Sequence, residues 1–411
     1  MVTGVQDEAA ALSGEIAELR HAIHAEPEIG LDLPKTQHKV LSALAGLPLE
    51  ISTGQALSSV TAVLRGGKPS AGGAGGAGGA GGKTVLLRGD MDALPVAERT
   101  GLPYASSIEG AMHACGHDLH TSMLVGAAKL LSARQAELEG NVIFMFQPGE
   151  EGNGGARLMI DEGVLDAAGE RPVAAYALHV ASSLLPLGLS ASKAGAVMAA
   201  ADTLHVTVKG RGGHGAQPHH AADPIPAACE IVLALQTMVT RRFDVFDPVV
   251  ITVGTFHGGT TDNVIPDDAS FVATVRTFSA QTRDKVKDAT VELARQIASA
   301  HGLSAEVDYV DGYPVTANAE PEFDFVKQAI GEIFGDHRFL TAPNPLTGSE
   351  DFSYVIEQVP GAFIMVGACP PGIDPFTAPY NHSAEAVFDD GVIADGITLY
   401  SELALRRLAA C

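Results

Sequence analysis

The sequence predicts an α/β protein: an open sheet with helices, into which a smaller α+β unit is inserted. Three observations carry that reading. From residue 83 onward, short apolar runs alternate with helix-periodic ones in a strand, loop, helix repeat. The early apolar runs each end in polar residues suited to chemistry. From about residue 194 the texture changes to a strand, helix, two strands, helix, strand order, which describes a compact α+β unit. The expected organisation is therefore residues 1–193 and 311–411 forming one domain around an insertion at 194–310.

Residues 8–25 place Leu12, Ile16, Leu19 and Ile23 at helical spacing, and Pro27 ends the run. A second helix is expected over 34–44. Stretches 59–65 and 83–88 read as strands. Gly-Gly-Ala repeats over 71–82 join them, a composition without side chains to build a core, and so are expected to form a flexible surface loop or hairpin extension. The strand at 85–88 leads to Asp90 and Asp92, that at 142–146 to Gln147, Pro148, Gly149, Glu150 and Glu151, and that at 173–178 to His179. In open α/β sheets ligands bind at the carboxyl edge, so these distant segments are expected to converge there, with the loop feeding a helix at 119–131.

In the insertion, 203–208, 249–254 and 270–277 read as strands, and 223–240 and 281–301 as helices. Its first connection is glycine-rich and presents His214. No Lys-Ser or Lys-Thr pair follows, so a mobile loop presenting His214 is the better reading than a phosphate cradle. The chain then returns through a helix at 323–333, a buried strand at 362–366 and a mostly helical end at 386–408.

Composition narrows the function. A chain of 411 residues, 46% hydrophobic and 18% charged, has the make-up of a soluble globular protein with room for two or three domains. The excess of 49 acidic over 26 basic residues gives a formal charge of −23, which repels phosphate backbones and anionic lipid and argues against a nucleic-acid or membrane partner. The first residues lack the basic start of a secretory signal, and no apolar run reaches the length of a membrane span. Four scattered cysteines with no C-x-x-C pair fit a reducing compartment, so a cytoplasmic location is expected.

The densest chemistry lies at 112–120, where Cys115 and Asp118 stand among His113, His117 and His120. An isolated histidine is ordinarily unremarkable, but a thiol and imidazoles so close together have the make-up of a divalent metal site. Gly116 permits the tight turn that aims Cys115 and His117 at one ion.

Taken together, the motifs resemble the M20 metallopeptidase family, in its amidohydrolase branch of hippurate hydrolases, N-acyl-amino-acid deacylases and auxin-conjugate hydrolases. They are His24-x-x-Pro27-Glu28, Asp90 to Pro95, His113 to Asp118, Glu150-Glu151, His179, Gly213-His214, Asn263 to Pro266, Gly348 to Phe352, and His382. The resemblance implies a zinc-peptidase-like α/β/α catalytic domain with an inserted lid and dimerisation domain. It implies two divalent metal ions per subunit (Mn2+, Zn2+, Co2+ or Ni2+) held by Cys115, His117, Glu151, His179 and His382, with Glu150 as general base and acid. Asp92 is implied to orient a ligand imidazole, and Asp90, His113, Asp118 and His120 either do similar work or merely make local hydrogen bonds. His214 and Asn263 are implied to stabilise the oxyanion or hold the substrate carboxylate, as residues that can come from a neighbouring subunit, hence a homodimer. One departure is Leu33, where relatives often carry an acid three positions before the residue matching Thr36. The expected activity is hydrolysis of a small N-acyl-amino acid, hippurate-like or N-acetylated. A dipeptidase or carboxypeptidase of the same family is the nearest alternative, and a non-catalytic metal-dependent binding protein a more distant one.

Overall fold

A computed structural model describes residues 4–68 and 82–410. All of the Gly-Gly-Ala tract except Gly82 lies outside the described residues. The chain divides into two compact units, one of residues 1–195, 317–343 and 354–411, the other of 196–316 and 344–353.

The first unit is built on an eight-stranded sheet in the spatial order Leu49–Thr53, Val60–Arg65, Asn141–Gln147, Thr84–Asp90, Ala174–Pro186, Gly361–Cys369, Ser190–Ser192 and Phe339–Thr341. Its centre is parallel. Thr84–Asp90 and Asn141–Gln147 are buried at every position, as central parallel strands covered on both faces must be, and this accounts for their continuous apolar runs. Leu87, Phe144, Tyr176 and Ile364 from the strands share one core with Leu124, Leu131 and Ile397 from the helices His117–Ala133 and Val392–Ala409.

The described strands on either side of the Gly-Gly-Ala tract are not neighbours, since Asn141–Gln147 lies between Val60–Arg65 and Thr84–Asp90, antiparallel to the first and parallel to the second. One expectation about this sheet needs correcting: His179 does not lie beyond a strand end. Ala174–Pro186 continues through it, since His179 is still paired with Met365 of the neighbouring strand. The placement at the carboxyl edge nonetheless survives: Ala177 pairs with Arg88, so His179, two residues on, is level with Asp90, which itself pairs with Gln147. The edge strand Leu49–Thr53 was not foreseen, for its apolar alternation is confined to Leu49 and Ile51 and four of its five residues are exposed.

The N-terminal helix Val5–His24 is fastened by charge as well as by packing. Fully buried Arg20 donates from Nε to Asp118 at 2.9 Å, and from Nη1 to Asp390 at 2.6 Å and to the Phe388 carbonyl at 3.0 Å. His24 Nδ1 reaches the same Asp118 oxygen at 2.9 Å. Glu28 of the His-x-x-Pro-Glu motif accepts from the backbone N–H and hydroxyl of Thr36 at 2.8 and 3.0 Å, supplying the N-terminal cap that Leu33 cannot give the helix Pro34–Leu44.

The second unit is an antiparallel sheet in the order Val250–Gly258, Asp268–Thr277, Ala200–Lys209 and Ser304–Tyr313, with the helices Pro224–Arg242 and Ala280–Ala300. Ala200–Lys209 alternates between buried and less buried positions, so that Leu204, Val206 and Val208 join Ile231, Leu235 and Val286 of the helices in a separate core. Asp223 and Ser279 cap the two helices by accepting from Ile225 and Thr282. The last strand runs to Tyr313, past the boundary expected at 310, because it pairs with Ala200–Lys209 as far as Ala201.

Arg20→Met is expected to lower the stability of the metal-free protein by about 3–5 kcal/mol, measured by urea unfolding, because it leaves Asp118 buried beside its lost partner.

Candidate metal centre

The first unit gathers five of the expected metal ligands. Cys115, His117 and His179 each offer a donor atom within 4.8 Å of the others; Cys115, Glu151 and His382 form a second such set, and His117, Glu150 and Glu151 a third. The sets share Cys115, His117 and Glu151, so they merge into one cluster. His117 is not on the loop, as expected, but is the first residue of the helix His117–Ala133. Gly116 precedes it with φ +81°, and a Cβ there would lie 2.3 Å from Val180 Cγ2, so both the backbone and the space demand glycine.

Backbone carbonyls fix the ring orientations. His117 Nδ1 donates to the Asp92 carbonyl at 2.8 Å, and His179 Nδ1 to the Val180 carbonyl at 2.9 Å. Each Nε2 is thereby left as a lone-pair donor. His179 Nε2 lies 3.4 Å from Cys115 Sγ, while His117 Nε2 is buried with no hydrogen-bond partner among the described residues. An imidazole nitrogen oriented in this way, beside a thiol and a carboxylate, has the donor chemistry of a divalent metal ligand. His382 also has a left-handed backbone, φ +72°, and its N–H donates to the Ala114 carbonyl at 2.8 Å, which binds its loop to the cysteine turn. Its Nε2 stands 3.2 Å from Glu151 Oε1.

Asp92 orients a ligand imidazole as expected, though through its carbonyl, which accepts from His117 Nδ1, while its carboxylate takes on a further task and accepts from the backbone N–H groups of Glu150 at 2.9 Å and Glu151 at 3.1 Å. One side chain thus fixes both acids on their turn. Asn381, to which the sequence reading assigned no role, is a further organiser. Its Nδ2 donates to the Val180 carbonyl at 3.0 Å, and its Oδ1 accepts from the Ser182 N–H at 3.0 Å. Only its place beside His382 could have drawn attention to it.

The charges are strongly coupled. Burial would raise the Cys115 thiol, but the charge of His179 and the closeness of the His117 and His382 imidazoles outweigh it and hold the thiol well below its ordinary value. Burial pushes Glu151 upward, with His382 opposing. Hydrogen bonds to Cys115 and Glu151 push His382 up to about 10. The anionic donors therefore attract positive charge, which protons supply in the metal-free protein.

The remaining residues of the motif act differently. His120 donates from Nδ1 to Asp90 at 2.6 Å and accepts the Val180 N–H at Nε2 at 2.7 Å, so neither nitrogen is left for an ion although His117 and Asp90 are close by. Burial pushes it down to about 4, so it is neutral. Asp118 serves Arg20 and His24. His113 is buried, pushed down to about 3 chiefly by that burial, and neither ring nitrogen has a hydrogen-bond partner among the described residues.

His214 and Asn263 meet in the second unit. His214 pairs with Val264 in a two-residue ladder, and the Gly215 N–H donates to the Asn263 carbonyl at 2.8 Å. His214 is exposed, with Nδ1 accepting from the Ala216 N–H at 3.1 Å.

The chain belongs to the peptidase family M20/M25/M40, whose family pattern matches residues 86–406. It is 35% identical over 401 residues to a thermostable carboxypeptidase of Saccharolobus solfataricus, covering 95% of each chain. To the hippurate hydrolase of Campylobacter jejuni it is 34% identical over 400 residues, covering 97% of each. Among solved structures, a dinuclear metal binding peptidase of the M20 family from Bacillus subtilis superposes with a TM-score of 0.82 at 30% identity, over 98% of this chain and 99% of the other. The relatives' names support the amidohydrolase branch, and the protein is a metal-dependent amidohydrolase. No described helix is long and apolar enough to cross a membrane.

Because His382 is held up near 10, a metal ion must displace its proton at neutral pH. Apparent metal affinity is therefore expected to rise between about pH 6 and about pH 9, with net proton release. Titration calorimetry in buffers of different ionisation enthalpy checks both.

Proposed function

We propose that the chain hydrolyses the amide bond of N-acyl-amino acids, hippurate-like or N-acetylated, to a carboxylic acid and a free amino acid. The observation that carries this reading is the turn on which Asp92 holds Glu150 and Glu151 side by side, with a carboxylate oxygen of each within 4.8 Å of a His117 ring nitrogen. Cys115, His117, Glu151, His179 and His382 would hold two divalent ions, manganese, zinc, cobalt or nickel, since a mixed sulfur, nitrogen and oxygen set suits each. Bound there, the ions supply Lewis acidity toward the amide carbonyl and toward water.

Glu150 is the general base. It takes a proton from the attacking water and passes it to the departing amine, acting in turn as base and acid. Its backbone N–H is held by the Asp92 carboxylate, which keeps the turn that carries it in place. His214 and Asn263 stabilise the developing oxyanion or hold the substrate carboxylate, and a homodimer formed through the inserted unit would let them act across subunits. The carboxypeptidase name of one relative favours a second reading, cleavage of an unacylated peptide at the same centre.

Chelator-stripped protein, restored singly with zinc, manganese or cobalt, is to be assayed against N-acetyl and N-benzoyl amino acids and simple dipeptides. Metal-restored release of amino acid from the acylated compounds is expected; cleavage of dipeptides alone would move the assignment to a peptidase. Glu150→Gln is expected to keep its metal while kcat falls by about 10²–10⁴. If turnover barely changed with metal still bound, Glu150 would not be the base.

A further inference from the structure

Thr84–Asp90 and Ala174–Pro186 stop pairing after Arg88 and Ala177, although both strands run on. In a strand, alternate N–H groups point to the same side, so those of Leu178 and Val180 both face the neighbour that has moved away. Buried N–H groups need acceptors, and two side chains provide them. Tyr400, from the helix Val392–Ala409, accepts the Leu178 N–H at 3.1 Å and donates its own proton to the Arg88 carbonyl at 2.6 Å. One step further, His120 accepts the Val180 N–H at 2.7 Å and donates to Asp90 at 2.6 Å. Asp90 is steadied in turn by Arg88 Nη1 at 2.6 Å.

These bridges flank His179. The peptide unit that follows it has its N–H on His120, and the Val180 carbonyl accepts both His179 Nδ1 and Asn381 Nδ2. We infer that His120 is a positioning residue for the metal centre: it replaces the missing backbone ladder at Val180 and so fixes the carbonyl that orients His179. The contact that matters is the acceptor at Nε2. The bond to Asp90 serves to present that acceptor by keeping the proton on Nδ1. This role rests on the metal-dependent reading of the site.

The test compares His120→Gln, whose amide oxygen can replace the Nε2 acceptor, with His120→Asn, whose shorter amide can keep the Asp90 contact but not reach Val180. Cobalt is titrated into each metal-free protein and into wild type, following binding and the visible cobalt spectrum. Wild type is expected to bind two ions; if it binds none, the metal reading of the site fails, independently of His120. His120→Asn is expected to lose about tenfold or more in affinity for one ion and to show an altered spectrum, while His120→Gln stays within about threefold of wild type. An Asn variant with wild-type affinity and spectrum, or a Gln variant damaged as badly as Asn, overturns the assignment. A wild-type measurement needs no variant to fold: nitrogen NMR of the metal-loaded protein is expected to show His120 protonated at Nδ1 and metal-free at Nε2, and a proton or cobalt on Nε2 would also overturn it.

Discussion

Two adjacent parallel strands can share a ladder only while they stay together, and a binding edge forms where they part. In the first unit that parting comes after Arg88 and Ala177. The backbone groups that face across the gap have to find hydrogen bonds elsewhere, and the side chains recruited for the task, Tyr400, His120, Asp90 and Arg88, are buried. The donors nearest the opening are arranged around this framework. His179 stands level with Asp90, and His117 opens the helix that also carries His120.

The second constraint is charge. A thiol held toward thiolate, carboxylates and several imidazoles share a largely buried space, where uncompensated charge is costly. The structure divides the work. Asp118 is matched to Arg20 and His24, and Asp90 to Arg88 and His120, leaving Cys115, Glu151 and His382 coupled to one another. Neutralised outer pairs set the frame, while the inner group keeps its affinity for a cation.

Much of this was legible from residue order. The continuous apolar runs marked the central strands, the change of texture near residue 194 marked the second sheet, and the density of donors around Cys115 marked the site. What stayed hidden depends on partners far away in sequence. The strand order that separates Val60–Arg65 from Thr84–Asp90 is set by the pairing of both with Asn141–Gln147, and no local pattern encodes which strands pair. Asp92 is the imidazole partner that the motif implied, but the work of its carboxylate, which holds two backbone N–H groups of a distant turn, was not legible. Asn381 and Tyr400 carry no motif at all, and their roles arise from the tertiary contacts they make.

Gly116 has no room for a methyl group, because the Val180 side chain already fills the place where it would go. Its left-handed backbone would resist a larger residue even if Val180 were trimmed. Mutational drift between these two positions is therefore one-way: residue 180 can become smaller by itself, whereas residue 116 gains nothing from that change. The cysteine turn is the rigid partner of the pair, and the facing strand has to adapt to it.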